Sequence, residues 1–263
     1  MTALRNIGAL VGKEWRHYFG SPIAYVALTI WTLLFGAFYV LVFNRFLQVS
    51  MQSAQQMEFG APPKLSLNEW VISGVLHNMA VVALFITPML TMRLFAEEKR
   101  QGTLELLATA PITPLQIILG KFLGALSLYA MMILAGLVNF FVLWQYATVP
   151  PEWKPVVTGA LALLLVGSCF IAVGLFVSTL TRNQIVAGTL TFGLLLGFWI
   201  LGWMDDPTAG ATTKVFAYLG LLTHLESLMN GVLELKDIVF YLTFTALGLF
   251  LAHQSMESQR WRA

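Results

Sequence analysis

Val156–Leu180 reads VVTGALALLLVGSCFIAVGLFVSTL, with no Asp, Glu, Lys or Arg in it. As a helix it would rise roughly 37 Å, enough to cross the roughly 30 Å hydrocarbon core of a bilayer. Outward from it, five more runs have the same character: Ile23–Phe43, Trp70–Met92, Phe122–Tyr146, Ile185–Met204 and the shorter Ile238–Ala252. Charged residues lie only at their margins. The whole chain agrees: 58% of it is hydrophobic and 11% charged, against roughly 25% charged in a soluble domain. The fold class is therefore all-α, a polytopic membrane protein with six transmembrane helices. The net charge of +2 gives no reason to expect nucleic acid as a partner.

Lys and Arg in the connecting segments set the orientation. Ten of them fall on the side that holds Arg5, Arg93, Arg100, Lys121 and Arg262. Five fall on the side that holds Arg45, Lys64 and Lys236. The bias predicts that both termini are cytoplasmic. The first apolar run is too long for the core of a cleavable signal, so it reads as a retained anchor.

The segments between crossings differ in kind. Over residues 1–22, Leu4, Ile7, Val11, Trp15 and Tyr18 recur at helical spacing, with Arg5, Lys13 and Arg16 elsewhere. This predicts an amphipathic interface helix lying on the membrane surface, turned into the first crossing by Ser21-Pro22. Residues 44–69, Gln-rich and with Pro62-Pro63, read as a loose outer excursion. Residues 205–237 open as a loop, then carry Leu225, Leu228, Met229, Val232 and Leu235 at helical spacing. That pattern predicts an outer amphipathic or re-entrant helix before the sixth crossing.

Residues 93–121, between the second and third crossings, hold the most information. Glu97, Glu98, Lys99 and Arg100 end the second crossing in water. Gly102 allows a sharp redirection. Thr103 is a candidate N-cap with Glu105 in the first turn after it. Leu104, Leu106 and Leu107 supply an apolar surface, and Pro111 ends the short helix. Thr113 and Pro114 then cap and start the climb back. The leucines point to a protein partner; a plain structural elbow is the alternative.

The pattern Glu97-Glu98, Gly102-Thr103-Leu104-Glu105, Leu107, Pro111, then Gly120-Lys121-Phe122-Leu123 resembles the signature loop of ABC-2 type transporter permeases. Two further stretches resemble the gliding-motility-associated branch of that family. One is Tyr18-Phe19-Gly20-Ser21-Pro22-Ile23-Ala24-Tyr25. The other is His224 to Ser227 with Gly231, Asp237 and Glu257 to Trp261. The resemblance implies one transmembrane domain over residues 1–263, in a bacterial inner membrane. It implies a coupling helix that docks in a cytoplasmic ATPase subunit through Glu97, Glu98, Gly102, Thr103, Leu104, Glu105, Leu106, Leu107 and Pro111. Glu97 and Glu98 would pair with that partner's cations. It implies a second permease chain, identical or related, and membrane lipid as surroundings. ATP and Mg²⁺ would be bound by the partner, with no cofactor in this chain. The implied activity is ATP-driven export; a force-transmitting part in a motility or envelope machine is the alternative.

The remaining motifs are consistent with a chain that is not itself an enzyme. Gly120-Lys121-Phe122 fails as a phosphate-binding loop at both ends. No acid sits mid-membrane, which argues against an ion-coupled carrier. His224 and Glu226 are too few for a metal site, and no nucleophilic triad is recognisable. Cys169, the single cysteine, reads as a small buried hydrophobe. Gly193 and Gly197 form a GxxxG pair that points either to a dimer contact or to packing within the chain; Gly120 and Gly124 repeat that spacing. His77, Asn78 and Asn139 are expected to pair across helices.

Overall fold

The long apolar runs become helices, the second despite Pro88 within it, because in lipid every backbone polar group must be satisfied within its own segment. The computed structural model describes residues 2–55, 66, 68–103, 112–146, 152–204, 210, 215 and 218–260. Among these there is helix and no strand. The elements are α1 (Thr2–Phe19), α2 (Pro22–Gln55), α3 (Gly74–Thr91, entered through a π-helical turn at Asn68–Ser73) and α4 (Ala96–Gln101). After them come α5 (Pro114–Tyr146), α6 (Trp153–Leu180), α7 (Gln184–Leu201), α8 (Leu225–Met229) and α9 (Leu235–Arg260). Six helices are long and apolar enough to cross a membrane, and they match the six runs read from the sequence.

The helix α6 is the central post, packed against α3, α5, α7, α8 and α9. Lipid tails are as apolar as leucine, so close packing rather than water exclusion holds such a bundle together. Gly167 shows how. A Cβ there would fall 2.0 Å from the Tyr129 ring of α5. On the far side of that ring Trp31 of α2 meets it edge-on at 5.6 Å, and Phe35 meets Phe140 at the same distance. Two aromatic contacts thus join α2 to α5, each adding about 0.5–1.5 kcal/mol beyond simple burial, and the Gly167 approach brings α6 against the same ring. A buried hydroxyl pair, Ser168 with Thr245 at 2.9 Å, fastens α6 to α9 beside buried Cys169.

Three expectations are corrected and one is met. The excursion after residue 43 is helical through Gln55, because residues 44–55 contain neither Pro nor Gly to stop α2. The helix of the third crossing starts at Pro114, as read from Thr113-Pro114, ahead of the apolar run that begins at Phe122. Thr113 caps it, its hydroxyl accepting from the Gln116 amide at 3.3 Å, so Lys121 lies two turns inside the helix. The helix expected through Leu235 stops at Met229: Gly231 takes φ +86°, and the chain restarts at Leu235. Leu225, Leu228 and Met229 are buried, but Val232 and Leu235 are exposed. Asn78 and Asn139 bond carbonyls of their own helices, Gly74 and Gly136, rather than neighbouring helices, and His77 is exposed.

At the end of the bundle away from α1, His224 sits 2.7 Å from Asp237, with Ser227 donating to the other carboxylate oxygen. Ser73 donates to the Met229 carbonyl at 2.9 Å. These bonds tie the loop before α9 to the starts of α9 and α3. Ser227 bonds Asp237 rather than His224, so the trio is a clamp and not a nucleophilic relay.

Candidate functional site: the charged joint at the basic end

The chain leaves α3 at Thr91, turns through residues 92–95 and enters α4. The residue preceding α4 is Phe95, whose side chain has no oxygen to cap the exposed amides of the first turn. Another helix supplies one. Ser178 of α6 accepts from the Phe95 and Ala96 amides at 2.9 and 3.0 Å, and donates to the Met92 carbonyl at 3.3 Å. Lys99 then donates to the Thr179 carbonyl, placing a cation at the carbonyl end of α6, where the helix dipole favours it. Gly102 ends α4 with φ +70°, its amide reaching back to Glu98. Gly102 thus takes a left-handed conformation that glycine adopts without steric cost. The Thr103 hydroxyl donates to the Glu98 carbonyl at 3.4 Å. Leu104, Glu105, Leu106, Leu107 and Pro111 lie outside the described residues.

Glu97 and Glu98 face inward. Arg93 grips Glu97 through two nitrogens, at 2.8 and 3.2 Å, with His17 at 3.6 Å. Glu98 Oε1 takes Lys13 at 2.8 Å and Lys121 at 2.9 Å. Lys121 also pairs with Glu14 at 2.9 Å and stands 5.2 Å from the centre of the Phe95 ring. The side chains of Lys121 and Glu14 are only 3% and 6% exposed, so this is a buried ion pair rather than a solvated one. The sequence offered both carboxylates of Glu97-Glu98 to water or to a partner's cations; the structure occupies them with this chain's own.

The helix α1 is seated on α5. Gly120 and Gly124 form the seat: a Cβ at either would come within 2.5 Å of Leu10 Cβ or 2.7 Å of Glu14 Cβ. The packed face of α1 therefore carries Leu10, Glu14 and Tyr18, while Leu4 of the expected stripe is exposed. Trp15 donates to Ser127 at 2.6 Å. Burial, and after it the Glu14 carboxylate, push the Tyr18 phenol above its ordinary range. It stays protonated and donates to the Leu90 carbonyl at 3.2 Å. Between α1, α3, α4 and α5 a chamber of about 220 Å³ remains, lined by Lys13, Glu14, His17, Arg93, Glu97, Glu98 and Lys121 among others.

A family model described as ABC-2 family transporter protein matches residues 9–255, nearly the whole chain. The chain belongs to the ABC-2 family of transporter proteins. A search of the curated proteins finds no match. As an ABC-2 permease with six apolar helices, it is a multi-pass membrane protein and a transmembrane subunit of an ABC transporter. The family normally lacks an ATPase site of its own and implies a partner ATP-binding subunit.

In this ABC-2 permease, Gly193 and Gly197 lie on an open face of α7, where an added Cβ would meet nothing within 4 Å. Packing inside the described part of the chain does not use them. Among the described residues no group of three His, Cys, Asp or Glu could hold a metal. Sequence reading missed Glu14, Ser178 and the burial of Lys121. The available signal was Gly120-x-x-x-Gly124 enclosing Lys121, a small-residue seat with a cation in it.

Proposed function

We propose that this chain is the permease half of an ATP-driven exporter, with the joint between the second and third crossings receiving the stroke of a separate ATPase subunit. The observation that carries the reading is the anchorage of α4. One short helix is bonded to α6 through Ser178 and Thr179, and to α1 and α5 through Glu98. A push on α4 would reach three helices at once, including the central post. Docking then falls to the segment from Gly102 to Pro111, with Leu104, Leu106 and Leu107 as the apolar contact, since Glu97 and Glu98 are engaged internally. ATP and Mg²⁺ belong to the ATPase subunit. The basic end is cytoplasmic, with α1 along the inner surface of the cell membrane. A second permease chain seats against the open face of α7 at Gly193 and Gly197.

The test is co-purification. Glu105→Lys combined with Leu106→Asp should abolish recovery of the cognate ATP-binding subunit with the tagged, co-expressed permease, while the permease itself remains folded in the membrane. Undiminished recovery would sink the docking assignment. Purified complex in vesicles separates export from a force-transmitting role in a motility machine: an exporter moves cargo across the vesicle membrane only while ATP is hydrolysed.

A further inference from the structure

The chamber at the basic end does not close on itself. Ile23, Met89 and Leu90 line it, and the same three residues line a second hollow of about 130 Å³ between α2 and α3. The second hollow is a groove with an entirely apolar lining: Pro22, Ile23, Val26, Ala27 and Ile30 on one face of α2, against Ile86, Met89 and Leu90 of α3. From Pro22 to Ile30 the helix rises about 12 Å. Val26, Ile30 and Met89 are each about half exposed, so the groove opens sideways, toward lipid. We infer that groove and chamber together form a binding site for a phospholipid with a primary-ammonium headgroup, taken from the leaflet at the basic end.

The chemistry along the site supports that class. Beyond Met89 and Leu90 the chamber holds the Arg93–Glu97 pair with His17 beside it, and Glu98 with Lys13 and Lys121. An apolar groove leading to charges of both signs also matches the acyl chain and zwitterionic headgroup of such a lipid. The fixed charges lining the chamber balance, with Lys13, Arg93 and Lys121 against Glu14, Glu97 and Glu98. A free anion would meet three carboxylates, and a free cation three cations; a zwitterion has a partner for each of its charges. Two polar groups have spare capacity. Glu98 Oε2 is buried without a hydrogen-bond partner, an acceptor that calls for a donor. Lys13 has given one of its three donors to Glu98 and remains half exposed at the rim. An ammonium on Glu98 Oε2 and a phosphate on Lys13, His17 and the outer edge of Arg93 satisfy both.

The site stands independently of ATPase docking and is tested on the full-length chain in detergent. Native mass spectrometry with phosphatidylethanolamine, phosphatidylcholine and phosphatidylglycerol of identical acyl chains gives the readout. Phosphatidylethanolamine should be retained on the order of tenfold better than phosphatidylcholine, whose quaternary nitrogen has no N–H to donate. Glu98→Gln should bring the two to parity. Because Glu98 also belongs to the ion network, Val26→Trp serves as the second variant. It fills the groove from its lipid side without touching a charge, and should lower retention of phosphatidylethanolamine on the order of tenfold while the melting temperature holds. Equal retention of phosphatidylethanolamine and phosphatidylcholine by the wild-type chain overturns the headgroup assignment, as does a preference for phosphatidylglycerol. Undiminished binding to Val26→Trp overturns the groove.

Discussion

Lys121→Met would leave the shape of the buried joint almost unchanged and remove its central charge. In the wild-type chain the Lys121 ammonium sits 2.9 Å from both Glu14 and Glu98. Without it the two carboxylates fare differently. Glu98 keeps Lys13 at 2.8 Å, so its charge stays paired. Glu14 forms no other ion pair among the described residues, and its side chain is 6% exposed. Removing one partner of a buried pair costs about 3–5 kcal/mol, nearly all of it the penalty of the stranded charge. At roughly 2–4 °C per kcal/mol for a chain of this size, the melting temperature should fall by roughly 6–20 °C. If the stranded charge is the cause, removing it should restore stability. The double variant Glu14→Gln with Lys121→Met should lie within about 1 kcal/mol of wild type, leaving a coupling of at least about 2 kcal/mol in a double-mutant cycle. Thermal unfolding in detergent, followed by tryptophan fluorescence, measures all four corners. A double variant that melts as low as Lys121→Met alone would refute the reasoning, as would a Lys121→Met chain that melts with wild type.

Ser178→Ala takes the shared cap from two buried amides and should cost about 2–4 kcal/mol; hydrogen exchange at Phe95 and Ala96 should accelerate, while that of mid-α6 holds. Gly124→Leu should unseat α1, whose Glu14 Cβ lies 2.7 Å from the added Cβ position; Trp15 fluorescence should shift red as its bond to Ser127 is lost, and an unshifted spectrum would count against the seat. Because Cys169 is buried, engineered cysteines report topology without background: Lys236→Cys should react with an impermeant maleimide applied to intact cells, and Arg100→Cys only after lysis. Gly197→Cys should form a chain-to-chain disulfide under mild oxidation if α7 faces a second copy, and remain monomeric if that face meets only lipid.

Particular residues show where sequence reading reached and where it stopped. The six crossings were legible because apolar length is a local property, counted against a fixed bilayer thickness. The Thr113 cap and the turn at Gly102 were legible for the same reason: each is decided within four residues. The packed face of α1 was not. Its stripe predicted Leu4 and omitted Glu14, because a glutamate on a buried face makes sense only once Lys121, far along the chain, is known to lie against it. The two glycine pairs share one spacing and differ in what they meet within the described chain. Gly193 and Gly197 have the cleaner pattern but meet nothing in the described chain, whereas Gly120 and Gly124 receive a whole helix. Spacing announces that a close approach is possible; it does not name what approaches.

By itself the sequence determined a six-span helical membrane protein with a short charged joint between the second and third spans, and the matched family places the chain among ABC-2 transporter proteins. Those conclusions rest on hydrophobic length, charge bias and turn chemistry, all readable along the chain. Only the tertiary structure decided that Glu97 and Glu98 are held by Arg93, Lys13 and Lys121, that a serine of the fourth span caps the joint, and that the chamber beside them shares Ile23, Met89 and Leu90 with an apolar groove between α2 and α3. The physical reason is that charge pairing and capping in a low-dielectric interior are relations between distant residues. One-dimensional spacing carries the period of a helix, but not its rotation or its neighbour.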